Sequence, residues 1–190
     1  MSARTIDLLR HGDTGQRSYR GQLDDALTDL GWAQLRASVE GGEWDVVVTS
    51  TLQRCAAFAQ ELSAQRGLPL HEDVRLVEYH FGRWQGVPME TLAETDGDAL
   101  GRFWQDPVAN PPPGGETFDA FRARLCAAID DIAKNFAAKR VLVVTHGGAI
   151  RLLRCIAERR DFGDMAGIDV AHASLHRLPW PVCTHAMAPD

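Results

Sequence analysis

Ile6-Asp7-Leu8-Leu9-Arg10-His11-Gly12-Asp13-Thr14, IDLLRHGDT, runs from an apolar segment straight into an arginine, a histidine and a glycine. The apolar run over residues 5–9 reads as a buried strand. A second segment ends in the same way: RVLVVT, residues 140–145, delivers His146, Gly147 and Gly148. In open α/β sheets ligands collect at the carboxyl ends of strands, so as parallel neighbours these two would turn both imidazoles toward one pocket. A single His after a strand is as often a residue that only hydrogen-bonds a turn. The repeated context is what favours a shared site.

Working outward, the pattern alternates. Thr28 caps a helix over 29–40 that stops at Gly41-Gly42, DVVVT at 45–49 is a second strand, and a helix over about 52–66 ends at Gly67. Val74 to Val77 supplies a short extended piece. Residues 87–105 look helical, with interruptions at Gly97 and Gly101, and DPVANPPPGGE at 106–116 suits neither a helix nor a central strand. A lid-like excursion is expected over 87–116. Thr117 then caps the longest helix, about 118–138, with Phe118, Phe121, Leu125, Ile129 and Ile132 at helical spacing. A helix over 147–159 and a strand around 168–178 complete a three-layer α/β/α fold, its largely parallel sheet covered by helices on both faces. Repeats and linkers are absent, so 1–190 reads as a single domain.

Composition narrows the chemistry. The 20 basic residues against 26 acidic ones give a net charge of −6, which argues against nucleic acid or an acidic membrane surface as partner. Lys134 and Lys139 are the two lysines, and neither stands in the Gly-Lys-Ser/Thr of a P-loop. Cys55, Cys126, Cys155 and Cys183 form no CxxC pair, so a zinc site or disulfide framework is not expected and a reducing cytoplasm fits best. MSARTIDLLRHG lacks the apolar core of a signal peptide, and no stretch reaches the roughly eighteen apolar residues of a membrane span. HxH and HExxH are missing, and HGG at 146–148 lacks the G-x-S-x-G turn of an acyl hydrolase. No metal or other cofactor is expected.

Arg10 precedes His11, and Arg54 follows the second strand in STLQR at 50–54. Guanidiniums grip phosphate through parallel hydrogen bonds, and amides at a helix start favour anions, so the two strand ends outline a phosphoryl pocket. With these residues in view the chain resembles the histidine phosphatase superfamily, the phosphoglycerate mutase-like fold, over nearly its whole length. The nucleophile motif stands as Arg10-His11-Gly12-Asp13-Thr14, the Ser-Pro-Leu-x-Arg-Ala motif as Ser50-Thr51-Leu52-Gln53-Arg54-Cys55, and the late Thr-His-Gly-Gly as residues 145–148. The Leu-x-Glu-x-x-Phe-Gly-x-Trp-Glu-Gly stretch stands as residues 76–86, with Glu78 at the acidic position and Gln85 in place of the second Glu.

The resemblance implies that His11 attacks phosphorus and becomes a phosphohistidine, that Arg10, Arg54, His146 and Gly147 hold the phosphoryl oxygens, and that Glu78 protonates the leaving oxygen and then activates water. Arg17 stands where such sequences often carry Asn, and Arg83 lies in the Glu78 segment; both are candidate substrate contacts. Within the superfamily the FG-x-W segment, Phe103-Trp104 and PPGGET at 112–117 look closest to α-ribazole phosphatases of cobamide assembly. A phosphate monoester hydrolase acting on a small molecule in the cytoplasm, as monomer or homodimer, is the expectation. A mutase-like enzyme, a phosphohistidine phosphoprotein phosphatase and a non-catalytic phosphate-binding module are the alternatives. Trp84, Phe103, Trp104 and residues 111–115 offer an aromatic wall, although aromatics at such spacing are more often core.

Overall fold

The computed structural model describes residues 5–137 and 139–179. Cys183 and the first four residues lie outside the described residues. Strands β1 (Thr5–Arg10), β2 (Val46–Thr49), β3 (Leu70–Glu72), β4 (Val141–Thr145) and β5 (Leu175–Pro179) form one sheet in the order β3-β2-β4-β1-β5. The first four are parallel, and β5 runs antiparallel along β1. Helices α1 (Asp29–Ser38), α2 (Gln53–Arg66), α3 (Met89–Gln105), α4 (Phe118–Asn135) and α5 (Gly147–Glu158) make up the outer layers.

Side-chain alternation along the strands builds two cores. Ile6 and Leu8 join Val46, Val48, Val141 and Val143 on one face, against Phe121, Leu125 and Ile129 of α4 and Ile150 and Leu153 of α5. Leu9, Val47, Leu142 and Val144 face the other way, against Leu35 of α1 and Phe58 and Leu62 of α2. Both faces of the central strands are buried, which is why their sequences read as unbroken apolar runs. Each buried Leu, Ile or Val contributes about 1.5–3 kcal/mol from area alone. Asp7 is the polar exception on β1; Trp44 Nε1 and Arg177 Nε donate to its two carboxylate oxygens at 2.9 and 2.8 Å, meeting the requirement that a buried charge be paired.

Some elements differ from the sequence expectation. Residues 74–76 form a single 3-10 turn, because the Asp73 carboxylate accepts from Arg75 N at 2.9 Å and folds the chain over. The edge strand is instead Leu70–Glu72, too short and too exposed to show a pattern. The last strand begins only at Leu175, since Ala173 sits at φ 56° and breaks the extension. Of the two interruptions expected in α3, one falls beside Gly97, where the helix kinks at Asp96 (φ −132°, ψ 20°), and Gly101 leaves the helix unbroken. Residues 113–116 pack back on the preceding turn: Arg83 N donates to Pro113 O and Glu116 N to His80 O, each at 3.0 Å.

The loop carrying His11 is fixed by a close backbone approach to α1. Thr28 caps the helix by accepting from Gly31 N at 3.1 Å and donates to Asp13 Oδ2 at 2.7 Å. A Cβ on Gly12 would overlap the Gly31 carbonyl, and one on Gly31 would overlap the Asp13 carbonyl. Gly31→Ala is therefore expected to lower stability by about 1–3 kcal/mol in urea unfolding. Gly101→Ala, in the open interior of α3, is expected to raise it by about 0.5–1 kcal/mol. Equal effects at the two positions would contradict this packing.

Candidate active site

Parallel register sets the site. Arg10 pairs with Thr145, and His11 N donates to Thr145 O at 3.0 Å, so the residues following both strands emerge side by side. The rings of His11 and His146 lie 5.3 Å apart, centroid to centroid, as the two similar strand ends predict. A cavity of about 560 Å³ opens at this edge.

The His11 Nδ1 is 2.8 Å from Gly12 O, and a carbonyl can only accept, so Nδ1 carries the proton and Nε2 keeps its lone pair. Burial, reinforced by the Arg54 and Arg10 charges, holds the His11 pKa well below its ordinary value, and the ring is neutral. His146 is completely buried beneath His11, with Nε2 hydrogen-bonded to Ser50 Oγ at 2.7 Å. Burial and the Arg54 charge lower its pKa as well. Cys55 closes the far side of that ring; its thiol, 3.6 Å from His146 Nε2, is pushed up to about 12 by burial and is inert.

The guanidiniums are held by backbone carbonyls. Arg54, 1% exposed, donates to Leu23 O and Gly21 O at 2.6 Å each, and Arg10 donates to Val170 O at 2.6 Å. Both Nε groups are buried without a partner among the described residues. Desolvation lowers the Arg10 pKa from its ordinary value. Buried donors left open around a cavity are what an anionic ligand satisfies.

Glu78 faces them. Its carboxylate accepts from Tyr79 N and Gly148 N, each at 2.9 Å, and a Cβ at position 148 would stand 2.5 Å from Oε1, so glycine there lets α5 approach. The backbone leading to Glu78 is fastened by one guanidinium. Arg124 donates to Arg75 O and Val77 O at 2.7 Å and to Glu78 O at 3.0 Å, and it grips Glu116 with both arms.

Of the residues expected from sequence, Arg10, His11, Arg17, Arg54, Glu78 and Gly147 line the cavity, while His146 lies just beneath it. Arg83 does not: it is exposed on the turn Gly82–Trp84 and outside the lining. Trp84 and Phe103 are core, at 2% and 4% exposure, whereas Trp104 reaches the cavity and donates to Tyr19 Oη at 2.7 Å. From the 87–116 excursion, Met89 and Trp104 line the cavity and residues 106–116 do not.

Thr14 of the first motif also lines it, as do Arg151, His172 and Tyr19, which are not evident from the motifs. Arg151 had a signal, standing four residues after Gly147 on the same helix face. His172, whose ring lies 5.6 Å from His11, is brought in by the turn before β5 and had none. No three His, Cys, Asp or Glu side chains gather as metal ligands among the described residues. No helix among them is long and apolar enough to cross a membrane.

A neutral imidazole with a fixed tautomer, buried guanidiniums and a carboxyl group lining one cavity are parts suited to phosphoryl transfer. Comparison with known proteins agrees. The chain is 36% identical over 177 residues to a bifunctional protein of Mycobacterium tuberculosis, covering 88% of this chain and 48% of that one. It thus spans about half the length of the first curated relatives it matches. It is 34% identical to a glucosyl-3-phosphoglycerate phosphatase of the same species, covering 80% of this chain and 74% of the relative. Among solved structures, the α-ribazole phosphatase of Shigella flexneri superposes with a TM-score of 0.77 at 26% identity, over 92% of this chain and 89% of that one. The sequence profile of the histidine phosphatase superfamily (branch 1) matches residues 6–186, and the chain belongs to that superfamily.

Proposed function

We propose that the chain hydrolyses phosphate monoesters of small molecules through a phosphohistidine on His11. The observation that carries this is the His11 ring, neutral and with Nε2 unprotonated, facing a cavity lined by Arg10, Arg54 and Glu78. In the first step the Nε2 lone pair forms an N–P bond as the ester P–O bond breaks, and the Glu78 carboxyl gives its proton to the departing oxygen. In the second, Glu78 takes a proton from water as that water attacks phosphorus, the N–P bond breaks, and inorganic phosphate leaves with His11 restored. Arg10 and Arg54 neutralise the phosphoryl oxygens in both steps, and His146 backs the His11 ring.

A cavity of this size and the Tyr19–Trp104 wall support a small leaving group with a ring, as in α-ribazole 5'-phosphate; the arginines support an anionic one, as in the substrate that names the glucosyl-3-phosphoglycerate phosphatases.

Phosphate release from a panel of p-nitrophenyl, nucleotide, sugar, phosphoglycerate and α-ribazole esters tests the reading. His11→Ala is expected to lower kcat at least about 1,000-fold while its circular dichroism stays that of the native chain. A folded alanine variant that keeps its activity overturns the assignment. Glu78→Gln is expected to cost about 100- to 10,000-fold with alkyl phosphates and much less with p-nitrophenyl phosphate, whose leaving group needs little protonation. Equal losses on both substrates would remove Glu78 from the acid role.

A further inference from the structure

The cavity holds more positive charge than one phosphoryl group neutralises. Arg10, Arg17, Arg54 and Arg151 line it, and none forms an ion pair with a carboxylate among the described residues. Arg20, in the same lining, is by contrast bound by Asp25 at 2.7 Å. Glu78 is the one carboxylate in the lining. A phosphate monoester brings about two negative charges, so guanidinium charge remains unmatched after it has bound.

Arg151 is the guanidinium placed to use that surplus. Its Nε donates to Ile168 O at 3.0 Å, which fixes the plane of the group and leaves the two terminal nitrogens without a hydrogen-bond partner among the described residues. Arg151 Nη1 and Arg10 Nε lie 3.2 and 3.3 Å from the single point where a Cβ on Gly147 would stand. Two like charges therefore share the space that this glycine leaves open, an arrangement that an anion between or beside them relieves. Arg151 lines the same cavity as Arg10 and the Tyr19–Trp104 pair, and its charge acts on both Arg10 and Tyr19. Tyr19 Oη accepts from Trp104 Nε1, which leaves the tyrosine's own proton to donate.

We propose that Arg151, assisted by the Tyr19 hydroxyl, is a second anion site that takes a carboxylate carried by the leaving alcohol, so that the preferred substrates are small phosphate monoesters with a carboxylate close to the phosphate. The fixed pair of terminal nitrogens matches the two oxygens of a carboxylate. The proposal rests on the hydrolase reading for its kinetics but not for its binding test.

Glycerol 3-phosphate and 3-phosphoglycerate differ by one carboxylate. The native chain is expected to hydrolyse the second with kcat/KM at least about tenfold higher, and Arg151→Gln to reduce that ratio to near one, with part of it restored in Arg151→Lys. A ratio that survives Arg151→Gln, or a native chain without preference, overturns the proposal. Calorimetric binding of 3-phosphonopropionate and propylphosphonate to the native chain needs neither turnover nor a variant. The carboxylated phosphonate is expected to bind at least about tenfold more tightly, and equal affinities overturn the proposal. Preferential binding without hydrolysis of any ester would sustain the anion site while rejecting the hydrolase reading.

Discussion

The parallel pairing of β1 with β4 is the constraint on which the site depends. With Arg10 opposite Thr145 and a backbone bond from His11 N to Thr145 O, two imidazoles separated by 135 positions in the chain end 5.3 Å apart. A shift of β1 by one residue in that register would turn Ile6 and Leu8 to the opposite face of the sheet and Asp7 into the larger core. The hydrophobic pattern that stabilises the sheet and the placement of the two imidazoles are thus set by one choice.

The rest of the site is a matter of stabilising charge away from water. Arg54 is nearly inaccessible and is compensated by the carbonyls of Gly21 and Leu23 rather than by a carboxylate. An ion pair there would hold the guanidinium against its ligand; carbonyl dipoles hold its position and leave its charge available. The same positive surroundings, together with burial, keep His11 and His146 neutral. Arg124 acts at longer range, binding the backbone carbonyls of Arg75, Val77 and Glu78 and so fastening the segment that carries the Glu78 carboxyl group.

Much of this is legible in the sequence because it is local. Apolar runs ending in Arg-His-Gly and Thr-His-Gly-Gly declare both the strands and the residues they present, and Thr28, Thr117 and Gly67 mark helix ends by the chemistry of their caps. The sequence is silent where tertiary packing decides. Leu70–Glu72 becomes a strand only because β2 offers it an edge, and residues 74–76 become a turn because one Asp side chain captures a backbone N–H. His172 enters the cavity through a turn with no periodic signal. Arg83, adjacent in sequence to site residues, points away because the turn it sits on is bonded to Pro113.

The central claim is that His11 Nε2 carries the phosphoryl group during turnover. Native enzyme mixed with excess p-nitrophenyl phosphate, quenched in base within a turnover and digested for mass spectrometry, tests it most directly. The account predicts one alkali-stable, acid-labile phosphoryl group on the peptide that contains His11. Phosphate trapped on any other residue would contradict it.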